Sequence, residues 1–194
     1  MEDVIQGVRA QWNFANMITA GRALSVVVAL PLLFFGLELE LFALVVAAVI
    51  SDAEGYLARF TNTTTPFGGV FDPLADKFFT NTMILMAAVA HMEASLFLLL
   101  CVNVTYDVDN TSRRLRDIVE ACRNRSIVAT TTPVTWLSKT KTCVLFLLVI
   151  VLYVPSSMAV PEEKFIPVLA IAGTMFVLMC WWHNRKETIR KWLR

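Results

Sequence analysis

Apolar residues fall in long unbroken blocks along this chain, not at the spacing of an amphipathic helix, and each block ends in a short polar or proline-marked turn. A helix needs about 20 apolar residues to cross about 30 Å of hydrocarbon. The pattern predicts six spans, over about 17–35, 41–59, 73–90, 94–104, 142–154 and 166–182. Polar interruptions mark their ends: Arg22 one turn into the first, Pro31 near its far end, and Glu38 and Glu40 in the turn that follows. A threonine-rich connection with Pro66, Gly68 and Gly69 precedes the third span, and His91 to Glu93 form the turn after it. The fourth helix turns polar beyond Val104, at Asp107, Asp109, Arg113, Arg114 and Arg116, so it is expected to run out of the bilayer into water. Residues 1–16 mix Trp12 and Phe14 with polar neighbours, the composition of a helix lying in the interface. Residues 183–194 predict a basic amphipathic cytoplasmic tail resting on anionic headgroups. The expected fold is an all-α integral membrane protein. It is a six-transmembrane-helix bundle with an N-terminal interfacial helix, in a single domain over 1–194.

Composition agrees: 57% of residues are hydrophobic and 17% charged, too apolar for an ordinary soluble domain. The net charge of +1 gives no sign of a nucleic-acid partner, and none is expected. Where the charges lie matters more. The turns after spans one and three carry no Lys or Arg and the turn after span five carries only Lys164, so both termini and the stretch 51–77 are expected to face the cytoplasm. The acidic start, M-E-D-V, is unlike a signal peptide, and the first span is expected to be retained. Cys101, Cys122, Cys143 and Cys180 lack C-x-x-C pairing and read as packing residues.

The stretch from Ser51 to Lys77 gathers four carboxylates, three glycines and an arginine. Asp52, Glu54, Asp72 and Asp76 are costly at membrane depth unless paired or metal-bound. Helix caps are the plain alternative: Asp72 precedes Pro73, a common helix start. Capping does not explain Asp76, four residues on and therefore on the same helical face, nor Asp52 and Glu54 at the end of the preceding helix. Carboxylates from two helix ends suit a hard cation such as Mg²⁺ or Mn²⁺ that shares its coordination with phosphate. Gly55, Ala58 and Gly68 leave room for a ligand, and Arg59 supplies a phosphate fork.

These residues resemble the signature of the CDP-alcohol phosphatidyltransferases, D-x-x-D-G-x-x-A-R followed by G-x-x-x-D-x-x-x-D. Gly55, Ala58, Arg59, Gly68, Asp72 and Asp76 match in identity and spacing. N-M-I-T-A-G-R, with Asn16, Thr19 and Arg22, is similar to the family's opening N-x-L-T-x-x-R, and W-L-S-K-T-K-T to its W-x-G-K-x-K-T. The resemblance implies transfer of a phosphatidyl group from CDP-diacylglycerol to an alcohol with release of CMP. It implies two ions, Mg²⁺ or Mn²⁺, with Asp72 bridging them, Asp52 or Glu54 completing the shell and Asp76 as general base, and it implies a homodimer in the lipid bilayer. One departure stands out. Aligned from Gly55, Ser51 and Glu54 occupy the first two aspartate positions, whereas Asp52 and Glu54 are only two apart and point about 200° from each other on a helix. Either the helix is rewound so that Asp52 reaches the metals, or Ser51 stands in as a neutral ligand.

Arg113, Arg114, Arg116, Lys139 and Lys141 are the candidates for an anionic acceptor headgroup, although cytoplasmic helix ends carry such charges for topology alone. The K-x-K-T spacing resembles the phosphatidylglycerophosphate synthases, which implies glycerol 3-phosphate. A catalytically silent homologue that binds CDP-lipid or a partner protein is the competing reading. A transporter fits less well, because the charges cluster at one face instead of along a midplane path.

Overall fold

The structure, a computed structural model, describes residues 14–60, 66–123, 136–158 and 165–192. Among the described residues all regular structure is helical, in six elements: α1 (Phe14–Phe34), α2 (Glu38–Phe60), α3 (Pro66–His91), α4 (Ala94–Arg123), α5 (Trp136–Leu152) and α6 (Phe165–Trp192). α1 packs on α2 and α3, α3 on α4 and α5, and α6 on α4 and α5. The tight α1–α2 and α3–α4 turns reverse the chain, so the start of α1, the end of α2, the start of α3, the end of α4, the start of α5 and the end of α6 share one end of the bundle.

Interior rows follow helical spacing. Leu41, Val45 and Ala48 on α2, Phe79, Met83 and Ala87 on α3, and Ala170, Val177 and Cys180 on α6 are buried. Phe79 meets Phe146 edge-on, with ring centroids 6.1 Å apart. At Gly173 a Cβ would lie 3.1 Å from Leu148 Cδ1 and 3.4 Å from Leu99 Cδ1, so glycine lets α4, α5 and α6 close on one another. The outer faces are apolar too: Leu24, Val27, Phe78, Leu85, Ile171, Met175 and Trp182 are all exposed. Soluble monomers seldom expose so much apolar surface. Among the described residues, one helical stretch, Phe165–Lys186, is long and apolar enough to cross a bilayer, with 22 residues and a mean hydropathy of 2.0; Thr19–Phe34 is a shorter apolar stretch.

Both tight turns end their helices in the same way. Gly36 takes φ 67°, its N–H bonds the Leu33 carbonyl at 3.2 Å, and the Leu37 N–H bonds the Leu32 carbonyl at 2.9 Å, a left-handed cap that satisfies the last carbonyls of α1. Met92, at φ 49°, does the same for α3 through Val89 and Ala88. At this end of the bundle Glu38 accepts from the Ser156 N–H at 2.8 Å and from its hydroxyl at 2.6 Å, joining the first turn of α2 to the chain after α5.

Three elements differ from the sequence expectation. α3 begins at Pro66, not near Pro73, so Gly68 and Gly69 belong to a helix and not to a connection. Proline is itself a favoured first helical residue, which is why the helix starts there. Asp72 is therefore inside a helix, and the capping explanation for it falls; Pro73 sits within α3 and forgoes only the bond to the Gly69 carbonyl. α5 starts at Trp136, which brings Lys139 and Lys141 onto its first turns. The basic tail expected at 183–194 continues the sixth helix to Trp192, where contacts from residues 181–185 hold it to α4. The interfacial segment expected over 1–16 lies mostly outside the described residues.

Candidate functional site at the 51–77 end of the bundle

Arg22 organises the end of the bundle that carries the signature. It lies two turns into α1 and is 4% exposed. Its Nε–H donates to the Ala48 carbonyl at 3.1 Å and its Nη2 to Ser51 Oγ at 3.2 Å, both on α2. Its Nη1 makes an ion pair with Asp76 Oδ1 on α3. Arg22 turns into the bundle and not out to water, and its guanidinium meets a carboxylate and two further oxygen acceptors there. Ser25 Oγ donates to the Arg22 carbonyl at 2.6 Å, and Thr80 Oγ1 to the Asp76 carbonyl at 2.8 Å, side chains returning to their own helices on either side of the pair. Thr19 is buried one turn before Arg22, on the same face.

Ser51 has its hydroxyl committed. It donates to the Ala48 carbonyl at 2.7 Å and accepts from Arg22. α2 is one uninterrupted α-helix to Phe60, so the rewinding that would carry Asp52 into position 51 is absent. On this helix position 54 falls about 60° from position 51 and position 52 about 100° from it, on the other side. Asp72 and Asp76 share α3 one turn apart. The side chains of Asn16, Asp52, Glu54, Ala58, Arg59 and Asp72, and the surroundings of Gly55 and Gly68, lie outside the described residues. Among the described residues no group of three or more His, Cys, Asp or Glu side chains converges.

A second polar layer lies beside the first. Lys141, 4% exposed, bonds Asp107 Oδ1 at 2.8 Å and Asn103 Oδ1 at 2.9 Å, with its ammonium 4.3 Å from the Tyr106 ring centroid. Asn103 Nδ2 donates to Asn81 Oδ1 at 2.8 Å, and Asn81 Nδ2 to Asp107 Oδ2 at 3.3 Å. Lys77, next to Asp76, donates to Thr111 Oγ1 at 2.7 Å and to the Asp107 carbonyl at 3.4 Å. This network joins α3, α4 and α5, and Asn184 adds α6 through Tyr106 Oη at 2.8 Å. Asp107, Asn81 and Asn103 were not among the sequence candidates. The signal was there: polar side chains at 103 and 107, one turn apart, interrupt an apolar run.

The five basic candidates do not act alike. Arg113 is paired with Asp109 one turn earlier on α4. Asp109 also accepts from Trp181 Nε1 at 2.7 Å and lies 3.7 Å from Arg185 Nε. Burial raises the Asp109 pKa, but Arg113, the Trp181 indole and Arg185 together hold it below the ordinary carboxylate value. Arg116 and Lys139 are exposed, Lys141 is buried in the network, and the Arg114 side chain lies outside the described residues. A cavity of about 450 Å³ opens at the opposite end of the bundle, lined by Leu33, Leu41, Ala87, His91 and Tyr153, away from all of these residues.

Residues 12–182 match the CDP-alcohol phosphatidyltransferase family. The chain belongs to that family. It is 34% identical over 83 residues to a protein of Rickettsia prowazekii (strain Madrid E) named CDP-diacylglycerol--glycerol-3-phosphate 3-phosphatidyltransferase, covering 41% of this chain and 46% of that one. A protein of the same name from Rickettsia typhi (strain ATCC VR-144 / Wilmington) is 35% identical over 78 residues, 38% of this chain and 44% of that one. The chain thus matches less than half the length of these relatives. No solved structure matches it. Asp76 lies within the matched residues, on α3, in an ion pair with Arg22 of α1.

Proposed function

We propose that this CDP-alcohol phosphatidyltransferase family member transfers a phosphatidyl group from CDP-diacylglycerol to glycerol 3-phosphate and releases CMP, as a step of phospholipid biosynthesis. The observation that carries the reading is Asp76, fixed by Arg22 where α1, α2 and α3 meet, within a signature that the family match spans. The relatives' names support the donor and the acceptor. In the reaction the acceptor hydroxyl oxygen bonds to the phosphatidyl phosphorus, the bond from that phosphorus to the bridging oxygen breaks, and CMP leaves with that oxygen. Asp76 receives the hydroxyl proton. Arg59 and the small residues Gly55, Ala58 and Gly68 receive the pyrophosphate, with Asn16 and Thr19 on α1 beside it.

Glu54, Asp72 and Asp76 would hold a divalent cation, Mg²⁺ or Mn²⁺, which when bound neutralises charge on the phosphoryl oxygens. The resemblance implies two ions. Ser51, at the first aspartate position of the signature, offers a neutral oxygen that faces a guanidinium, a weak ligand for a hard ion. Arg113, Arg114, Arg116 and Lys139 would receive the acceptor phosphate, with Lys141 holding the helices that carry them. The six helices are read as six spans of a homodimer in the bilayer, with this end and both termini cytoplasmic.

The competing reading, a silent homologue that binds CDP-lipid, is favoured by Ser51 alone. An acceptor panel separates the two: purified protein with CDP-diacylglycerol, Mg²⁺ or Mn²⁺, and glycerol 3-phosphate, inositol phosphate or serine. Release of CMP with glycerol 3-phosphate above the other acceptors is expected. Absence of CMP release with every acceptor in the panel, from protein that still binds CDP-diacylglycerol, would favour the silent reading.

A further inference from the structure

We propose that the cavity at the end opposite the signature holds one bilayer lipid with an ammonium headgroup, its alkyl chain inside the cavity and its headgroup at Glu38 and His91. The inference rests on reading the bundle as membrane-spanning, and it assigns a lipid site away from the proposed phosphatidyl-transfer site.

Three observations carry it. The first is shape and lining. The cavity, about 450 Å³, is enclosed by the ends of α1, α2, α3, α5 and α6, with Leu41, Ala87, Leu152 and Ile166 among its walls and Glu38, His91 and Ser156 as its charged or polar side chains. Ligand sites of about 300–1,000 Å³ have this make-up, apolar walls with a few polar groups that orient the occupant. The Tyr153 hydroxyl is already committed, donating to the Met83 carbonyl at 2.8 Å, so that residue presents its ring and not a donor. Phe34 and Phe165, next in sequence to the lining residues Leu33 and Ile166, are exposed. Apolar surface outside the mouth as well as within suits an occupant drawn from the bilayer.

The second is charge. The turns at this end carry Glu38, Glu40 and Glu93, and the connection from α5 to α6 holds Glu162 and Glu163 against Lys164, five glutamates to one lysine and a net charge of −4 with His91 neutral. Such a field attracts a cationic headgroup and repels an anionic one. The third is the state of Glu38. Both of its bonds from Ser156, from the N–H at 2.8 Å and from the hydroxyl at 2.6 Å, end on Oε2. They fix the carboxylate at the cavity and leave Oε1 as an acceptor for an ammonium group. His91, on the same lining, has a ring N–H that can donate to a headgroup phosphate. A zwitterion of ammonium and phosphate matches this pair of side chains. The headgroup decides the selectivity, because an alkyl chain that leaves the bilayer for the cavity exchanges one apolar surrounding for another.

The test is native mass spectrometry of the full-length protein in detergent, with equal amounts of phosphatidylethanolamine and phosphatidylglycerol of one chain length added and helicity checked by circular dichroism. The wild type is expected to hold one phosphatidylethanolamine per chain, favoured about threefold over phosphatidylglycerol, the scale of an exposed charge pair. Ala90→Phe, at an exposed position on the lining, is expected to lose that lipid. Glu38→Gln is expected to bind both lipids equally. No phosphatidylethanolamine on the wild type, a preference for phosphatidylglycerol, an unchanged preference in Glu38→Gln, or equal binding by wild type and folded Ala90→Phe would overturn the inference. Should Ala90→Phe not fold, the preference of the wild type against that of Glu38→Gln decides. Both variants are expected to release CMP at the wild-type rate. CMP release without the bound lipid would sink this inference alone; the bound lipid without CMP release from any acceptor would sink the reaction alone.

Discussion

Asp76, Arg22 and Ser51 show how far single residues can be read. The spacing of Asp72 and Asp76 identified a helical face, and the structure keeps both on α3. Arg22 was legible as part of a motif but its partner was not, because Asp76 lies 54 positions away and Ser51 29, and no local periodicity reports such pairs. Position 51 came out of the alignment from Gly55, whereas the helical register through it needed the continuity of α2. Replacing Arg22 with Ala takes the guanidinium away from the Asp76 carboxylate, which is 17% exposed. We expect a loss of about 3–5 kcal/mol, the usual consequence of breaking one side of a buried pair. Chemical denaturation in detergent micelles measures it; a change under about 1 kcal/mol would contradict the buried geometry.

At the scale of elements, the long apolar blocks placed all six helices, and they failed at the helix ends. The start of α3 was put at Pro73 because Asp-Pro is a start signal, yet Pro66 offers a favoured first helical residue about two turns earlier and the helix takes it. The α3–α4–α5 network was missed for another reason: Lys141 reads by itself as an acceptor or topology charge and Asp107 as part of a solvated helix end, while Asn103 and Asn81 carry no local signal of their partners. Only packing brings them together. Lys141→Met should cost about 3–5 kcal/mol by stranding Asp107, and Lys141→Met with Asp107→Leu should recover most of it, since a buried pair is often replaceable by apolar residues. Equal losses in the single and double variants would show that the two groups do not depend on each other. At the α1–α2 turn, Gly36→Ala forces a side chain into φ 67° and should cost about 1–2 kcal/mol, although open space surrounds the position. A melting temperature unchanged from wild type would show that the turn re-forms.

The whole molecule sorts its chemistry by end. Tight capped turns and the Glu38–Ser156 bond sit at one end, and the signature, the basic residues and the α4–α6 contacts at the other. That polarity was legible from Lys and Arg placement, whereas the docking of the C-terminal helix on α4 was not, since the basic face looked suited to headgroups. Two carboxyls stabilise the ends through lowered pKa values: Glu38 by its hydrogen bonds from Ser156, and Asp109 by its pairing with Arg113, Trp181 and Arg185 against the cost of burial. Folded values below the ordinary 4.5 and 3.8 mean that both contributions are complete above those values and are lost as the pH falls through the lower folded ones. The melting-temperature gap between wild type and Asp109→Asn should therefore be constant from neutral pH to about 5 and close only at more acidic pH. A gap that closes near neutrality would contradict the α4–α6 tether.

The central claim is that Asp76 works at a phosphatidyl-transfer site, and the direct measurement is CMP release from CDP-diacylglycerol with glycerol 3-phosphate and Mn²⁺, wild type and Asp76→Asn side by side. Wild-type release that falls by about 10²–10⁴-fold in the folded variant, the usual range for a lost general base, is the predicted result. Equal rates in the two proteins would contradict the account.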